Sequence, residues 1–520
     1  MAATLTVTFV PLGAAVTVPE GTSVLEAARR AGVPLPATCG GQGTCGDCAV
    51  RVLAGEVPPP SVTEAAALAS APPDVRLACM LRPLGDVTVR PVAPIPQPVP
   101  ARPSSAGTGR TAVAAAVDLG TTTITASLLG ASGESTGSGS VANPQRTFGG
   151  DVASRIAAAA FAGDARALQD LAVLGVSEAL TSGGGTQGVT RVVVACNTAM
   201  AHLALGAEVS GLTAHPYAGA LSGISRTTAG RLGLVPLPAG AEIVFLPPMA
   251  AFVGGDATAG ALATGLDRSS GVRVLVDLGT NAEVVVSVEG ELTVASAAAG
   301  PAFEAAGLSS GGPAVRGAVR DTRIEDGDLL LQVVDGGEAR SICGSGALSL
   351  VGALLAAGHL DGGGRLSEDG PLRPRFHRRG DVLALQVAGV PGGRQDVYLT
   401  QLDVRELQLA KAAVATALQL TLRRAKVEWA DVDEVIVAGA FGAGIDVGVL
   451  HRIGILPART AVPVTNAGDA ALAGAELVAR DARLEARAEE LARKSRGVDL
   501  AAEPDFQRAF VAHTALRRTD

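Results

Sequence analysis

Near the start of the chain the apolar positions alternate with period two, and then the period changes. Thr4 to Val10 reads as a strand and Ala14 to Val18 as its partner across Pro11-Leu12-Gly13. Ser23 caps a helix from Val24 to Arg30 that stops at Gly32. Strand, strand and helix in that order open a β-grasp fold. Further on, continuous apolar runs replace alternation. Ala112 to Val117 leads into Asp118-Leu119-Gly120-Thr121-Thr122-Thr123, and a second apolar run follows at once. Val272 to Val276 leads in the same way into Asp277-Leu278-Gly279-Thr280-Asn281-Ala282. Each reads as two strands joined by a tight hairpin. Two copies at domain-scale spacing predict a duplicated fold whose two turns face one cleft. Arg191 to Ala195 predicts a strand ending in Cys196-Asn197-Thr198, and Glu434 to Ala438 a buried strand entering the turn Gly439-Ala440-Phe441-Gly442-Ala443-Gly444.

Composition sharpens this outline. The 520 residues leave room for two to four domains. Hydrophobic residues at 48% against 18% charged suffice for sizeable cores, and with 2% aromatics and 66 glycines those cores must be built of small side chains. A net charge of -8 lacks the basic face that a nucleic-acid partner requires. No basic residue precedes Arg29 and no long apolar run lacks polar breaks, so neither a signal peptide nor a membrane span is predicted, and the expected compartment is the cytoplasm. From Pro91 to Gly109 the chain turns Pro-, Ser- and Gly-rich, a semi-extended tether. After Asp481 it is rich in Arg, Glu and Ala. The predicted organisation is 1–95, a linker over 96–111, two halves over 112–270 and 271–480, and a helical tail over 481–520.

Four of the six cysteines lie in the first unit: Cys39, Cys45, Cys48 and Cys79. The spacing C-x5-C-x2-C with a distant fourth Cys resembles plant-type [2Fe–2S] ferredoxins, most closely the adrenodoxin-like variant. Gly40, Gly41, Gly43 and Gly46 supply a loop that can wrap a cluster with its N–H groups toward sulfur. A structural zinc site and a disulfide pair are the alternatives. Zinc ribbons ordinarily use two C-x2-C knuckles where one is present, and a reducing cytosol disfavours disulfides.

The paired hairpins suit phosphate and metal handling. Gly120 and Gly279 let backbone N–H groups approach an anion. Thr121, Thr122, Thr280 and Asn281 add side-chain donors, and Asp118 and Asp277 sit where a hydrated Mg²⁺ is held between carboxylate and phosphate. With the late V-I-V-A-G-A-F-G turn, these elements resemble the ATPase body of actin, actin-like chaperones and sugar and acetate kinases, two RNase-H-like halves closing on ATP and Mg²⁺. The fold class implied is multidomain α/β and α+β.

A longer series of motifs narrows the resemblance. N-P-Q-x-x-x-G-G-D-V (Asn143 to Val152), N-T-x-M-x-H (Asn197 to His202), F-V-G-G-D (Phe252 to Asp256), D-L-G-T-N-x-E-V, A-A-G-P-A-F-E (Ala298 to Glu304), C-G-S-G (Cys343 to Gly346), the helix Leu402 to Lys411 and A-G-A-F-G together resemble the ATP-dependent reductive activators of corrinoid proteins, over almost the whole chain. The resemblance implies that Cys39, Cys45, Cys48 and Cys79 bind the cluster. It places Asp118, Gly120, Thr121, Thr122, Asp277, Gly279, Thr280 and Asn281 around Mg²⁺ and the ATP phosphates, and Gly439 and Gly442 at the adenosine.

Glu283 and Glu304 are candidates for orienting the attacking water, with a solvent-facing side chain as the plain alternative for Glu283. Lys411 reads as a solvated lysine, Cys196 and Cys343 as small core residues, and His202 as a helix residue with a local partner. The reaction implied is reduction of cob(II)alamin to cob(I)alamin by the cluster, driven by ATP. The partners implied are a corrinoid protein of a methyltransferase system, an upstream low-potential donor and a second copy of the chain. Two other readings remain at this point: an activator of 2-hydroxyacyl-CoA dehydratases, and a ferredoxin fused to a nucleotide-sensing scaffold that hydrolyses nothing.

Overall fold

The computed structural model describes residues 3–11, 13–68, 71–92, 111–393, 396–439, 445–457 and 462–516. The expected linker lies almost wholly outside these residues, as does Gly442. Alternation over the first strands produces what it predicts. β1 (Thr4–Phe9) buries Leu5, Val7 and Phe9 on one face and pairs antiparallel with β2 (Ala14–Pro19). With β3 (Ala49–Ala54), β4 (Val75–Leu77) and β5 (Val87–Pro91) these make a five-stranded sheet in the order β2-β1-β5-β3-β4, where β5 runs parallel to β1. The helix Val24–Arg30, capped by the Ser23 hydroxyl, covers the sheet with Val24, Leu25, Ala27 and Ala28. This is the β-grasp arrangement.

The body is built twice from one plan. Its first sheet comprises β6 (Ala114–Leu119), β7 (Thr123–Leu129), β8 (Ser135–Ala142), β9 (Arg191–Ala195), β10 (Ser225–Thr228) and β11 (Glu242–Phe245), in the order β10-β11-β9-β6-β7-β8. β6, β7 and β8 form an antiparallel meander, while β9 and β11 add parallel strands. The second sheet opens on β12 (Val272–Asp277), β13 (Asn281–Val288) and β14 (Glu291–Ala298), again an antiparallel meander.

Two three-stranded sheets are inserted next: β15 (Ala318–Glu325), β16 (Asp328–Val333) and β17 (Ser341–Ile342), then β18 (Phe376–Arg379), β19 (Val382–Ala388) and β20 (Val397–Thr400). The second body sheet resumes with β21 (Glu434–Ala438), β22 (Val464–Gly468) and β23 (Arg496–Gly497), giving the order β22-β21-β12-β13-β14-β23. β12, β21 and β22 run parallel.

One core fills each half, and a third lies between them, drawing on Ala116, Val193 and Val244 of the first sheet and Leu275, Val285 and Ile436 of the second. The Ala- and Gly-rich helices Gly255–Thr264 and Ala470–Arg480 pack together in that middle layer. Small side chains let them approach closely, which explains the composition. A truncation such as Leu275→Ala in this layer costs about 2–5 kcal/mol.

The segment after Asp481, expected as a tail, is instead woven into the body. Glu485 pairs with Arg191 and Arg226 of the first half, and Arg487 with Asp267. Ala488 and Leu491 enter the middle core, β23 joins the second sheet, and the helix Phe506–His513 lies on the helix Gln401–Ala425. Lys411, expected to be solvated, is buried, and its Nζ donates to the carbonyls of His513 and Ala515 at 2.7 and 2.8 Å.

Candidate functional site

The four N-terminal cysteines stand as two pairs. Cys39 Sγ lies 3.3 Å from Cys45 Sγ, and Cys48 Sγ lies 3.3 Å from Cys79 Sγ. Gly40, Gly41, Gly43 and Gly46 all take positive φ, which curls the loop around the sulfurs. Backbone N–H groups of Thr44, Cys45 and Gly41 are directed at the Cys39 sulfur, and that of Gly43 at Cys79. The hydrogen bond from Cys45 draws the Cys39 thiol down to about 3, and the one from Cys48 lowers Cys79. The strand β4, two residues before Cys79, is anchored by a buried Glu64, which accepts from Arg76 Nε and Nη2 and from the Leu77 N–H at 2.8 to 2.9 Å.

Two thiols per iron, with amide donors aimed at sulfur, are the donor set of a [2Fe–2S] cluster. The two-pair arrangement fits the binuclear group. All six cysteines are free thiols, and Cys196 and Cys343 are buried in the core, apart from the quartet.

The paired hairpins meet across a cleft of about 750 Å³ open to solvent. β6 and β7 deliver Asp118 and Gly120 to Thr122, and β12 and β13 deliver Asp277 and Gly279 to Asn281, all on its wall. Thr122 Oγ1 and Thr280 Oγ1 are 2.8 Å apart, joining the halves. Glu304 accepts from the Thr280 N–H at 3.2 Å and from Thr280 Oγ1 at 3.1 Å. Asn197 donates to Thr121 Oγ1 at 3.0 Å and caps its own helix through Met200 N–H. Gly439, at φ 105, brings the backbone so close that a Cβ would stand 2.8 Å from Asp277 Oδ1 and 2.4 Å from the Leu278 carbonyl. Only glycine fits there.

Glu283 faces inward and not toward solvent. It is buried opposite Asp277 in the β12–β13 register and accepts from Ser296 Oγ at 3.2 Å. Two acids escaped the sequence reading. Asp256 opens the helix Gly255–Thr264 and Asp469 caps the helix Ala470–Arg480, both on the cleft wall. F-V-G-G-D carried a signal for Asp256. For Asp469 the signal was the strand-turn-helix pattern Asn466-Ala467-Gly468-Asp469, the counterpart of the other strand ends.

Six carboxylates thus line one cleft. Burial, then the neighbouring acids, pushes Asp277 up to about 8 and Asp118 well above the usual carboxylate range. Asp256 rises to about 6 by burial, and Glu283, Glu304 and Asp469 rise for the same first reason. His202, within its helix, has Nδ1 2.7 Å from the Thr198 carbonyl and serves structure.

Fold and sites together define a class: a plant-type ferredoxin module fused to a two-domain actin-like ATPase body. Known families match in the same order. The "2Fe-2S iron-sulfur cluster binding domain" covers residues 8–84, the "RACo middle region" 113–269, and the "C-terminal domain of RACo the ASKHA domain" 271–520. The corrinoid activation enzyme RamQ of Eubacterium limosum is 31% identical over 420 residues, 77% of this chain and 69% of that protein. A reductase of Methanosarcina barkeri for a Co(II) methylated amine-specific corrinoid protein is 29% identical, over 47% of this chain and 46% of its own. The solved structure of a reductive activator for a corrinoid iron–sulfur protein superposes over 99% of both chains, with a TM-score of 0.74 at 25% identity. This chain belongs to the RACo family.

Proposed function

We propose that this chain restores the Co(I) state of a corrinoid protein's cobalt from Co(II), using ATP hydrolysis to drive an electron supplied through its own ferredoxin module. The observation that carries this reading is the union, in one RACo-family chain, of two cysteine pairs with a carboxylate-lined double-hairpin cleft. When held by Cys39, Cys45, Cys48 and Cys79, the [2Fe–2S] group supplies a one-electron carrier, at about −400 mV in plant-type proteins. Each further 100 mV of uphill transfer costs about 2.3 kcal/mol per electron, which is why a nucleotide is needed.

The body's residues divide the phosphoryl chemistry. Gly120, Thr121, Thr122, Gly279, Thr280 and Asn281 donate to the phosphates, with Gly439 toward the nucleoside. Asp118 and Asp277, assisted by Asp256 and Asp469, hold hydrated Mg²⁺, which favours few carboxylates and several waters. Glu304, pinned by Thr280, orients the attacking water, and Glu283 sits behind Asp277 as a proton reservoir. Positioning and charge neutralisation of this kind dominate phosphoryl transfer. The natural partners are a methyltransferase-system corrinoid protein, an upstream low-potential reductant and a second copy of this chain.

The test follows Co(I) absorbance of a cob(II)alamin-bearing protein under a low-potential reductant, with and without ATP. Rapid Co(I) formation is expected only with ATP, and not with Asp118→Ala even though its cluster still reduces. Equal rates without nucleotide would overturn the reading.

A further inference from the structure

The motif Asn143 to Arg155 touches both chemical centres. On one side the ferredoxin module rests on it. Ala37 N–H donates to the Arg146 carbonyl at 3.3 Å, and Gly150 N–H to the Thr38 carbonyl at 3.2 Å. Arg29 donates twice to the Thr147 carbonyl, at 3.0 and 2.8 Å, while its guanidinium stacks 4.3 Å from the Phe148 ring centroid. Thr38 and Gly40 flank Cys39, so this contact is made by the cluster loop itself. At Gly150 the approach is so close that a Cβ would stand 2.6 Å from Thr38 Cγ2.

On the other side the same motif grips the first phosphate hairpin. Asn143 N–H donates to the Thr122 carbonyl at 2.8 Å, and Asn143 Nδ2 to the Gly120 carbonyl at 2.8 Å. Arg155 joins the two faces. Its Nε donates to the Gly149 carbonyl at 3.0 Å, Nη1 to Gln145 Oε1 at 3.1 Å, and Nη2 to the Thr121 carbonyl at 2.6 Å. Its side chain is fully buried, Nη1 also meets Met200 Sδ at 3.3 Å, and the carboxylates Asp151 and Glu304 act on it through space without a hydrogen bond to it. A fully buried cation whose hydrogen bonds all go to neutral acceptors is costly to maintain, which marks the network as more than packing.

We infer that Arg155 is a positioning residue coupling the two centres, so that nucleotide entering between the hairpins loosens the ferredoxin module from the Arg146–Gly150 segment. The sign comes from geometry. Thr122 and Thr280 hydroxyls are engaged with each other, and Glu304 with Thr280. Phosphates that claim these donors must separate the hairpins, and Thr121 moves with Arg155 and the carbonyl of Gly149, next to the docked Gly150. The inference rests on the reading that the hairpins bind the nucleotide. By linkage, docking must then oppose nucleotide binding by the same factor.

Hydrogen exchange of the full-length holoprotein, with and without Mg²⁺ and a non-hydrolysable ATP analogue, tests this. Protection is expected to rise at 120–123 and 279–281 and to fall at 37–48 and 146–150, and in Arg155→Lys only the hairpins should respond. Gly150→Val, which wedges the contact open without touching the hairpins, should bind the analogue about 5-fold more tightly or better, the lower end of typical coupling. Hairpins that respond while 37–48 does not, an Arg155→Lys loop that responds as before, or unchanged or weaker binding by Gly150→Val each overturn the coupling and leave the nucleotide site standing. Hairpins that do not respond overturn both.

Discussion

Replacing Asp277 by Asn should make the metal-free protein more stable at pH 8 while removing its ATPase activity. Burial and the acids Asp256, Asp469 and Glu304 raise the Asp277 carboxyl from its ordinary 3.8 to about 8. The folded state therefore binds a proton that the unfolded chain has already lost. Between these two values stability must fall as pH rises, because the folded state holds the extra proton. From pH 6 to pH 8 the loss from this one group is about 2 kcal/mol, and water in the open cleft screens part of it. An Asn cannot ionise, and its amide donates to the surrounding carboxylates. The thermal midpoint of the body should thus decline less from pH 6 to pH 8 in Asp277→Asn than in wild type, with chelator present. Adding Mg²⁺ and ATP should stabilise wild type strongly and the variant little. A variant with the same pH slope as wild type, or with lower stability at pH 8, would refute the crowding argument.

Other changes separate the remaining parts. Cys45→Ala should abolish the paramagnetic signal of the reduced protein, while Cys196→Ala and Cys343→Ala keep it; zinc in place of iron and sulfide would contradict the two-pair reading. Thr280→Val keeps the backbone N–H to Glu304 but removes the hydroxyl donor to it and the bridge to Thr122, and should lower kcat for ATP by about 10²-fold, the scale of one transition-state donor. Lys411→Met leaves two buried carbonyls without their donor and should destabilise the body by about 1–3 kcal/mol, read as a lower thermal midpoint with ATP turnover unchanged at low temperature.

The features legible in the sequence were those whose chemistry is local. Three cysteines around a glycine-rich loop and two D-L-G-T turns announce themselves because the residues that act together are neighbours in the chain, and the distant Cys79 is found only through the ferredoxin spacing. Asp256 and Asp469 join the cleft only through folding, each at the head of a helix in a different half. Glu283 and Lys411 show the same limit from the other direction. A charged residue on a strand or an amphipathic helix reads as solvated until a distant segment covers it: for Lys411 the carbonyls of His513 and Ala515, for Glu283 the neighbouring strand with Ser296. The weave of residues after Asp481 depends on Arg191, Arg226 and Asp267, hundreds of positions earlier, and nothing in an Arg-, Glu- and Ala-rich stretch points to them.

The six carboxylates of the cleft have a consequence for which form of nucleotide is admitted. Free ATP brings its own negative charges to acids that burial already keeps protonated, and it opposes the loss of those protons. The same molecule arriving with a divalent cation reverses the sign of the encounter, because the cation meets those oxygens first. On the proposed reading the cleft would favour the metal complex over the bare nucleotide, and chelation should silence the protein even when ATP is abundant.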